Sequence, residues 1–292
     1  MLEIVIHKND ANQRLDKFLQ KAFPNLTKSM MYKSIRKKKI KVNRKRCEFN
    51  QILNEGDSIL LFLPPDVLER KERKISNKAT DLNIIYEDQN ILIIHKPVGL
   101  LSQSDGKNED CLVNRMQSYL YQKGEYDLNE HSFSPSICQR LDRNTEGLVL
   151  GAKNAETLRI LNEAIRNRKI HKYYQAECVG DFKEEMSLVY YLKKEGTIAH
   201  VSEFKKEGYR KSSMDVSVLK RNKDSTFIEI ELHTGRFHQI RALMSYIGHP
   251  LVGDFKYGYS GPKKGYRLIA YKLDLSEVDL DLDQKVFEIQ GL

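Results

Sequence analysis

Cysteine is scarce in this 292-residue chain, and tryptophan is absent. The four cysteines, Cys47, Cys111, Cys138 and Cys178, are scattered. No two have the spacing of a zinc knuckle or a redox pair, and scattered thiols fit a reducing cytoplasm. Long apolar runs are missing too. The stretch Leu2 to Ile6 is interrupted by Glu3 and is too short for a signal peptide or a membrane span. A soluble, cytoplasmic monomer with no membrane contact is expected. Neither a glycine-rich phosphate loop nor a metal-ligand spacing is visible, which argues against a nucleotide hydrolase and against any metal or cofactor. There is no internal repeat and no low-complexity tract. The lack of tryptophan by itself excludes nothing.

What is present is charge. Lys and Arg number 49 against 40 Asp and Glu, a net charge of +9. Residues 1–65 alone hold fourteen Lys/Arg and six Asp/Glu, so nearly the whole excess lies in the first fifth of the chain. An arbitrary basic face is simply solvated; one confined to a compact segment points to nucleic acid. The length suits two domains, and a hydrophobic content of 40% is enough for a sizeable core.

Residues 1–65 read as a separate unit. Asp10 or Asn12 can cap a helix whose Leu15, Phe18, Leu19 and Ala22 form an apolar stripe. Ser29 can cap a second helix, with Met31 and Ile35 inside and Lys33, Arg36 and Lys37 outside. Ile40 and Val42 alternate with Lys41 and Asn43 as in a half-wet strand, with Arg44 just beyond. Gly56-Asp57 then turns the chain into a strand from Ile59 that ends at Pro64-Pro65. Residues 66–80, polar and of mixed charge, read as a flexible linker. The rest, 81–292, carries a hairpin (84–86 with 91–94), a weak helix (112–121), a strand (147–152), a helix capped by Asn154, and strands near 172–179, 214–219 and 227–232. A helix opens at Gly235. The fold class is α+β, with a mixed, mainly antiparallel central sheet flanked by helices and a small α/β domain in front.

Two segments could carry chemistry. In the first, Gln139-Arg140-Leu141-Asp142-Arg143-Asn144-Thr145-Glu146-Gly147 precedes a buried strand. A carboxylate at a sheet edge among cations should stay ionised, as a nucleophile or general base must; a loop salt bridge is the bland alternative. Arg14-Leu15-Asp16 repeats the tripeptide inside a helical stripe, so the longer string is what carries weight. The second segment is Thr234-Gly235-Arg236-Phe237-His238-Gln239-Ile240-Arg241. Arg241 falls at the margin of an apolar stripe, with His238 and Ser245 facing away, and Asp142 is a candidate bidentate partner. Tyr174 shares a strand face with Lys172 and Ala176. On its own a tyrosine there is more often core than catalytic.

Together these stretches resemble the RluA family of RNA pseudouridine synthases. The matches are Ile84-Ile85-Tyr86-Glu87-Asp88 with Lys96-Pro97-x-Gly99, the Arg140–Gly147 string, Lys172-x-Tyr174-x-Ala176, and Thr234 to Arg241 continuing through Gly248–Asp254 and Tyr257-Gly258. Residues 1–65 resemble the alpha-L RNA-binding domain first seen in small-subunit ribosomal protein four. The resemblance implies the pseudouridine synthase fold and a structured RNA substrate, ribosomal rather than transfer RNA, in which uridine is isomerised without cofactor. It implies that Asp142 is the essential carboxylate, that Tyr174 stacks on the flipped base and helps remove the proton from its carbon five, and that Arg241 pairs with Asp142. Arg140 would fill the space left by the nucleotide. Arg143, Lys96, Arg236, His238 and Gln239 would contact substrate, and Lys33, Arg36, Lys37, Lys41 and Arg44 would dock RNA. His131, His171 and His249 would be structural or RNA-facing. Two positions depart from the family pattern: Gln139, where many relatives carry His, and His95, where Asn is common. The alternative from another class is a non-catalytic RNA-binding or ribosome-assembly protein on the same fold.

Overall fold

The computed structural model describes residues 1–70, 81–107, 110–182, 185–262 and 265–292. In the first unit, β1 (Leu2–Val5), β2 (Gln13–Arg14), α1 (Leu15–Ala22), α2 (Lys28–Arg36), β3 (Ile40–Val42), β4 (Lys45–Arg46), β5 (Ile52–Leu53) and β6 (Ser58–Leu61) follow in order. The strands β1, β6, β3 and β4 form one antiparallel sheet. Leu15, Phe18, Leu19 and Ala22 are buried on α1, as their spacing requires. Asn43 and Arg44 both have positive φ, 49° and 63°, the geometry that matches a two-residue turn to strand twist.

The helix starts differ from expectation. Thr27, not Ser29, caps α2, its hydroxyl accepting from the Met30 amide at 3.3 Å. Arg14 occupies the cap position of α1 with no side-chain capping bond, its guanidinium donating to Asp16 instead. The expected linker also begins too early: Val67 is buried in the core of the first unit, and Asn25 holds the Asp66 carbonyl at 3.0 Å. Its remaining part, 71–80, lies outside the described residues.

The second unit contains β7 (Asn83–Glu87), β8 (Ile91–Lys96), α3 (Leu112–Gln122), β9 (Ser136–Ile137), β10 (Glu146–Ala152), α4 (Ala155–Arg166), β11 (His171–Val179), β12 (Met186–Glu195), β13 (Ile198–Ser202), β14 (Arg210–Arg221), β15 (Ser225–Leu232), α5 (Gln239–Tyr246), β16 (Leu268–Asp274) and β17 (Val286–Glu288). Its eleven-stranded sheet runs β13-β12-β14-β15-β11-β16-β10-β8-β7, with β9 and β17 as side branches. Only β10 and β16 pair in parallel among the described strands, so the sheet is mixed and mainly antiparallel. Residues alternate between two cores. Leu92, Ile94, Val149 and Tyr174 face one, with α3 and α5; Ile91, Ile93, Leu148, Leu150 and Leu161 face the other, with α4. Both faces of β8 and β10 are thus covered, which is why those strands read as continuous apolar runs.

Gly147 makes the parallel join. At φ +126° it lies so close to β16 that a Cβ would meet the Ala270 carbonyl oxygen at 2.3 Å. The same residue pairs with Lys96 on its other side.

The two units are docked. Asp10 is fully buried and accepts from the Ser132 amide (2.8 Å), the Ser132 hydroxyl (2.6 Å) and the His131 amide (3.2 Å). Gln13 donates to Ser132 Oγ at 2.7 Å, and Asn9 accepts from the Ala155 amide at the start of α4 at 3.1 Å. The His131 ring meets Phe18 edge-on.

Two outcomes are expected. Gly147→Ala should cost at least ~2 kcal/mol, since both backbone strain and a backbone clash oppose it; a denaturation midpoint equal to wild type would refute the fit. Asp10→Ala should leave the second unit folded while the 131–132 amides lose hydrogen-exchange protection. Unchanged protection would mean that Asp10 does not hold the interface.

Candidate active site

The loop carrying Asp142 is held from beneath. Lys96 ends β8 with its ammonium buried, donating to the carbonyls of Pro97 (2.8 Å), Leu100 (2.9 Å) and Arg143 (3.2 Å). Ser102 Oγ donates to the Leu141 carbonyl at 2.6 Å and accepts from the Leu141 amide at 3.0 Å. Arg143 reaches back to the Gly99 carbonyl at 3.0 Å, and the Gly99 amide returns a bond to the Arg143 carbonyl at 2.8 Å. Burial lowers the Lys96 pKa to about 8, against the pull of Asp142 and Glu146. It therefore remains a cation at neutral pH, its three protons matching three carbonyl acceptors. This corrects the expectation that Lys96 meets substrate: its head is wholly occupied in shaping the loop. Gln239 is corrected likewise. It is buried, accepts from the Thr234 hydroxyl (2.8 Å) and the Arg236 amide (3.1 Å), and donates to the Ser213 carbonyl (3.1 Å).

Arg241 does pair with Asp142, but through one nitrogen at 3.8 Å and not by the expected bidentate fork. Its bidentate partner is Asp254, with Nε to Oδ2 at 2.6 Å and Nη2 to Oδ1 at 2.8 Å. Both side chains are buried, at 7% and 2% exposure. Tyr257 and Tyr266 place their rings 4.9 and 4.3 Å from the guanidinium carbon, adding cation–π attraction. Only Nη1 remains toward Asp142 Oδ2, at 3.8 Å. A side chain at Gly253 (φ +87°) would strike the Gly265 carbonyl oxygen at 2.5 Å, so this glycine lets the Asp254 loop close against the chain leading to Tyr266.

The helix carrying Arg241 starts at Gln239, four residues later than the expected opening at Gly235. His238 precedes it in the left-handed region, φ 51°. That backbone turn sends the imidazole toward the site instead of away: its Nε2 lies 3.7 Å from Asp142 Oδ2. Arg236 donates to the Lys211 carbonyl at 3.0 Å. Arg140 is exposed beside Asp142 and acts on its charge.

Tyr174 is placed by register. Tyr174, Ala270, Gly147 and Lys96 form one row across four neighbouring strands, which brings the phenol under the Asp142 loop. Burial, reinforced by the Asp142 charge, raises its pKa well above the ordinary tyrosine value. The resting form is thus the neutral phenol. The cations expected around Asp142 do act on its carboxyl, and burial opposes them. Burial outweighs Arg241, Arg140 and Lys96, and its carboxyl titrates above the ordinary 3.8.

Other residues fall outside this cluster. His171 pairs with Glu231 at 2.7 Å and Glu277 at 3.2 Å; His249 Nδ1 meets the Val179 carbonyl at 2.9 Å. His95 meets Glu146 at 3.0 Å. Gln139 buries both amide atoms without a partner among the described residues. A separate cleft of about 700 Å³, lined by Asn9, Glu87, Lys123, Glu125 and Lys153, lies between the units. Its two lysines are ion-paired to Glu87 and Glu125.

A half-buried carboxylate, a clamped arginine and a buried tyrosine thus stand close together, and the comparisons identify the class. A family profile described as RNA pseudouridylate synthase matches residues 90–246, and one described as S4 domain matches residues 13–59. The chain belongs to the RNA pseudouridylate synthase family and is an RNA pseudouridine synthase. It is 34% identical to an uncharacterized RNA pseudouridine synthase of Mycoplasma capricolum, over 97% of this chain and 94% of that one. It is 30% identical to ribosomal large subunit pseudouridine synthase C of Vibrio parahaemolyticus, over 87% of this chain and 79% of that one. The fold is similar to that of human RNA pseudouridylate synthase domain containing 4, with a TM-score of 0.58, 18% identity, and coverage of 72% of this chain and 88% of that one.

The pKa of Asp142 sets a pH profile. A raised pKa means that the ionised form is lost at a higher pH on acidification. If the ionised carboxylate is the working form, the acid limb of kcat/KM should lie above 3.8. Arg140→Ala removes a charge that lowers this pKa, so its limb should move to still higher pH. A limb that stays put in Arg140→Ala would refute the electrostatic assignment.

Proposed function

We propose that this enzyme isomerises uridines of large-subunit ribosomal RNA, with Asp142 as the essential carboxylate. The observation that carries the assignment is the convergence of Arg241 and His238 on one oxygen of Asp142 above the buried Tyr174. The target nucleotide leaves its stack, and the aromatic face of Tyr174 receives the base. Asp142 drives cleavage of the N-glycosidic bond; the uracil turns and rejoins through carbon five. Arg241, held by Asp254, keeps the carboxylate aimed. Because the phenol of Tyr174 rests neutral, stacking is its first role, and taking the carbon-five proton requires passing one on. Arg140, exposed at the loop, fills the space of the displaced nucleotide.

The RNA-binding unit extends the contact. Lys33, Arg36, Lys37 and Arg44 are exposed, and Lys41 is half-buried beside the Phe62 ring. These cations dock phosphates with salt-dependent, sequence-tolerant affinity. Choice of ribosomal RNA rests on the likeness to the Vibrio large-subunit enzyme. The enzyme works as a cytoplasmic monomer in this reading, consistent with four free cysteines. No helix among the described residues is long and apolar enough to cross a membrane.

The test is release of tritium from carbon five of uridine in large-subunit ribosomal RNA. Wild type should release it, and Asp142→Asn should bind the RNA yet release none. Release by Asp142→Asn at the wild-type rate would overturn the role of Asp142. Release by wild type from transfer RNA alone would overturn the substrate assignment.

A further inference from the structure

His238 has a second set of contacts that defines what its ring can do. Its Nδ1 lies 2.9 Å from the Tyr257 hydroxyl, and that hydroxyl accepts the Ala199 amide of β13 at 2.9 Å. The Tyr257 proton needs an acceptor, and Nδ1 is the one in reach. On the other side of the ring, Nε2 faces a carboxylate, which can only accept when ionised. Both neighbours therefore select one tautomer, with the proton on Nε2. Phe237 stacks on the imidazole at 3.8 Å and 19°, and Lys194 of β12 caps the Phe237 ring at 4.5 Å. The ring is fixed in plane as well as in tautomer.

The charged groups around it act in concert. Arg241 of α5, Lys256 of the following turn and Lys194 are the cations; Asp142 is the facing anion. Burial is the largest influence, and with these three cations it takes the His238 pKa down to about 3. The imidazole is a neutral donor at every pH at which the enzyme would work.

We propose that His238 is a positioning residue: its Nε2–H, fixed by the Tyr257 hydroxyl, donates to Oδ2 of Asp142 in the RNA complex and leaves Oδ1 to meet the uridine. At 3.7 Å the two atoms are beyond hydrogen-bond distance in the free enzyme; such contacts tighten when substrate binds. Arg241 Nη1 approaches the same Oδ2 at 3.8 Å, so both donors mark the same oxygen and spare the other. The proposal rests on Asp142 as the essential carboxylate, but its first test does not.

That test is nitrogen NMR of the full chain labelled in histidine, with the His238 resonances assigned by their loss in His238→Gln. A bare Nδ1, a protonated Nε2 and no titration between pH 5 and 8 are expected. A proton on Nδ1, or titration near the ordinary histidine value of 6.5, would overturn the proposal whatever the activity. The second test is kinetic. His238→Phe should lower kcat by about 10- to 100-fold, the worth of one hydrogen bond to a charged group. RNA affinity should hold, and the acid limb should move to higher pH because a donor to the carboxylate is gone. His238→Gln, which restores an N–H donor, should recover part of the loss. Tyr257→Phe should lower kcat in the same direction, because it frees the tautomer. Wild-type kcat and an unmoved limb in His238→Phe, or a loss confined to RNA affinity, would refute the role. An inactive wild type would instead sink the assignment of function and leave the tautomer result standing.

Discussion

The buried pair of Arg241 and Asp254 is the interaction on which the site depends. A guanidinium at 7% exposure must be paired or it destabilises the fold, and breaking such a pair costs roughly 3–5 kcal/mol. Asp254 takes two of its nitrogens, Tyr257 and Tyr266 cover it, and one nitrogen is left facing Asp142. Arg241 can then favour the Asp142 carboxylate without a bidentate hold on it. An Asp142 locked in a bidentate pair would have both oxygens engaged; the arrangement seen keeps it available.

The sheet supplies the other half of the geometry. The row Lys96, Gly147, Ala270, Tyr174 joins the base of the Asp142 loop to the tyrosine beneath it. Lys96 holds three carbonyls of that loop region, and Gly147 permits the close parallel join. These are positions where backbone strain and a buried charge are accepted because surrounding contacts over-determine them. At the far end, Asp10 ties the basic unit to the 131–132 turn, so the exposed cations of that unit are fixed relative to the second unit.

Much of this was legible in the sequence. The Arg140–Gly147 string, Tyr174 on the inner face of its strand, the hairpin before Lys96 and the Asn154 cap all follow from local pattern, and the Asn154 side chain does accept from Thr157 at 2.9 Å. Long-range choices were not legible. Asp142 and Asp254 are both aspartates, and periodicity cannot tell which one takes the Arg241 fork. The left-handed turn at His238 is uncommon for any residue but glycine and carries no signal in the sequence, so a regular helix from Gly235 misdirects the ring. Lys96 was expected to meet substrate because local pattern shows neither the turn that brings the Pro97 and Leu100 carbonyls to its ammonium nor the distant Arg143 carbonyl. The strands β12 and β13 escaped notice because only Leu188, Leu192, Ala199 and Ser202 are buried in them, too few to show alternation.

The most direct measurement of the central claim is turnover of Asp254→Asn on uridine-labelled RNA, with its melting temperature and RNA affinity taken alongside. The account predicts a folded protein that binds RNA and loses most of its kcat, by about 100-fold, because the released guanidinium no longer holds its place beside Asp142. A folded Asp254→Asn enzyme turning over at the wild-type rate would contradict it.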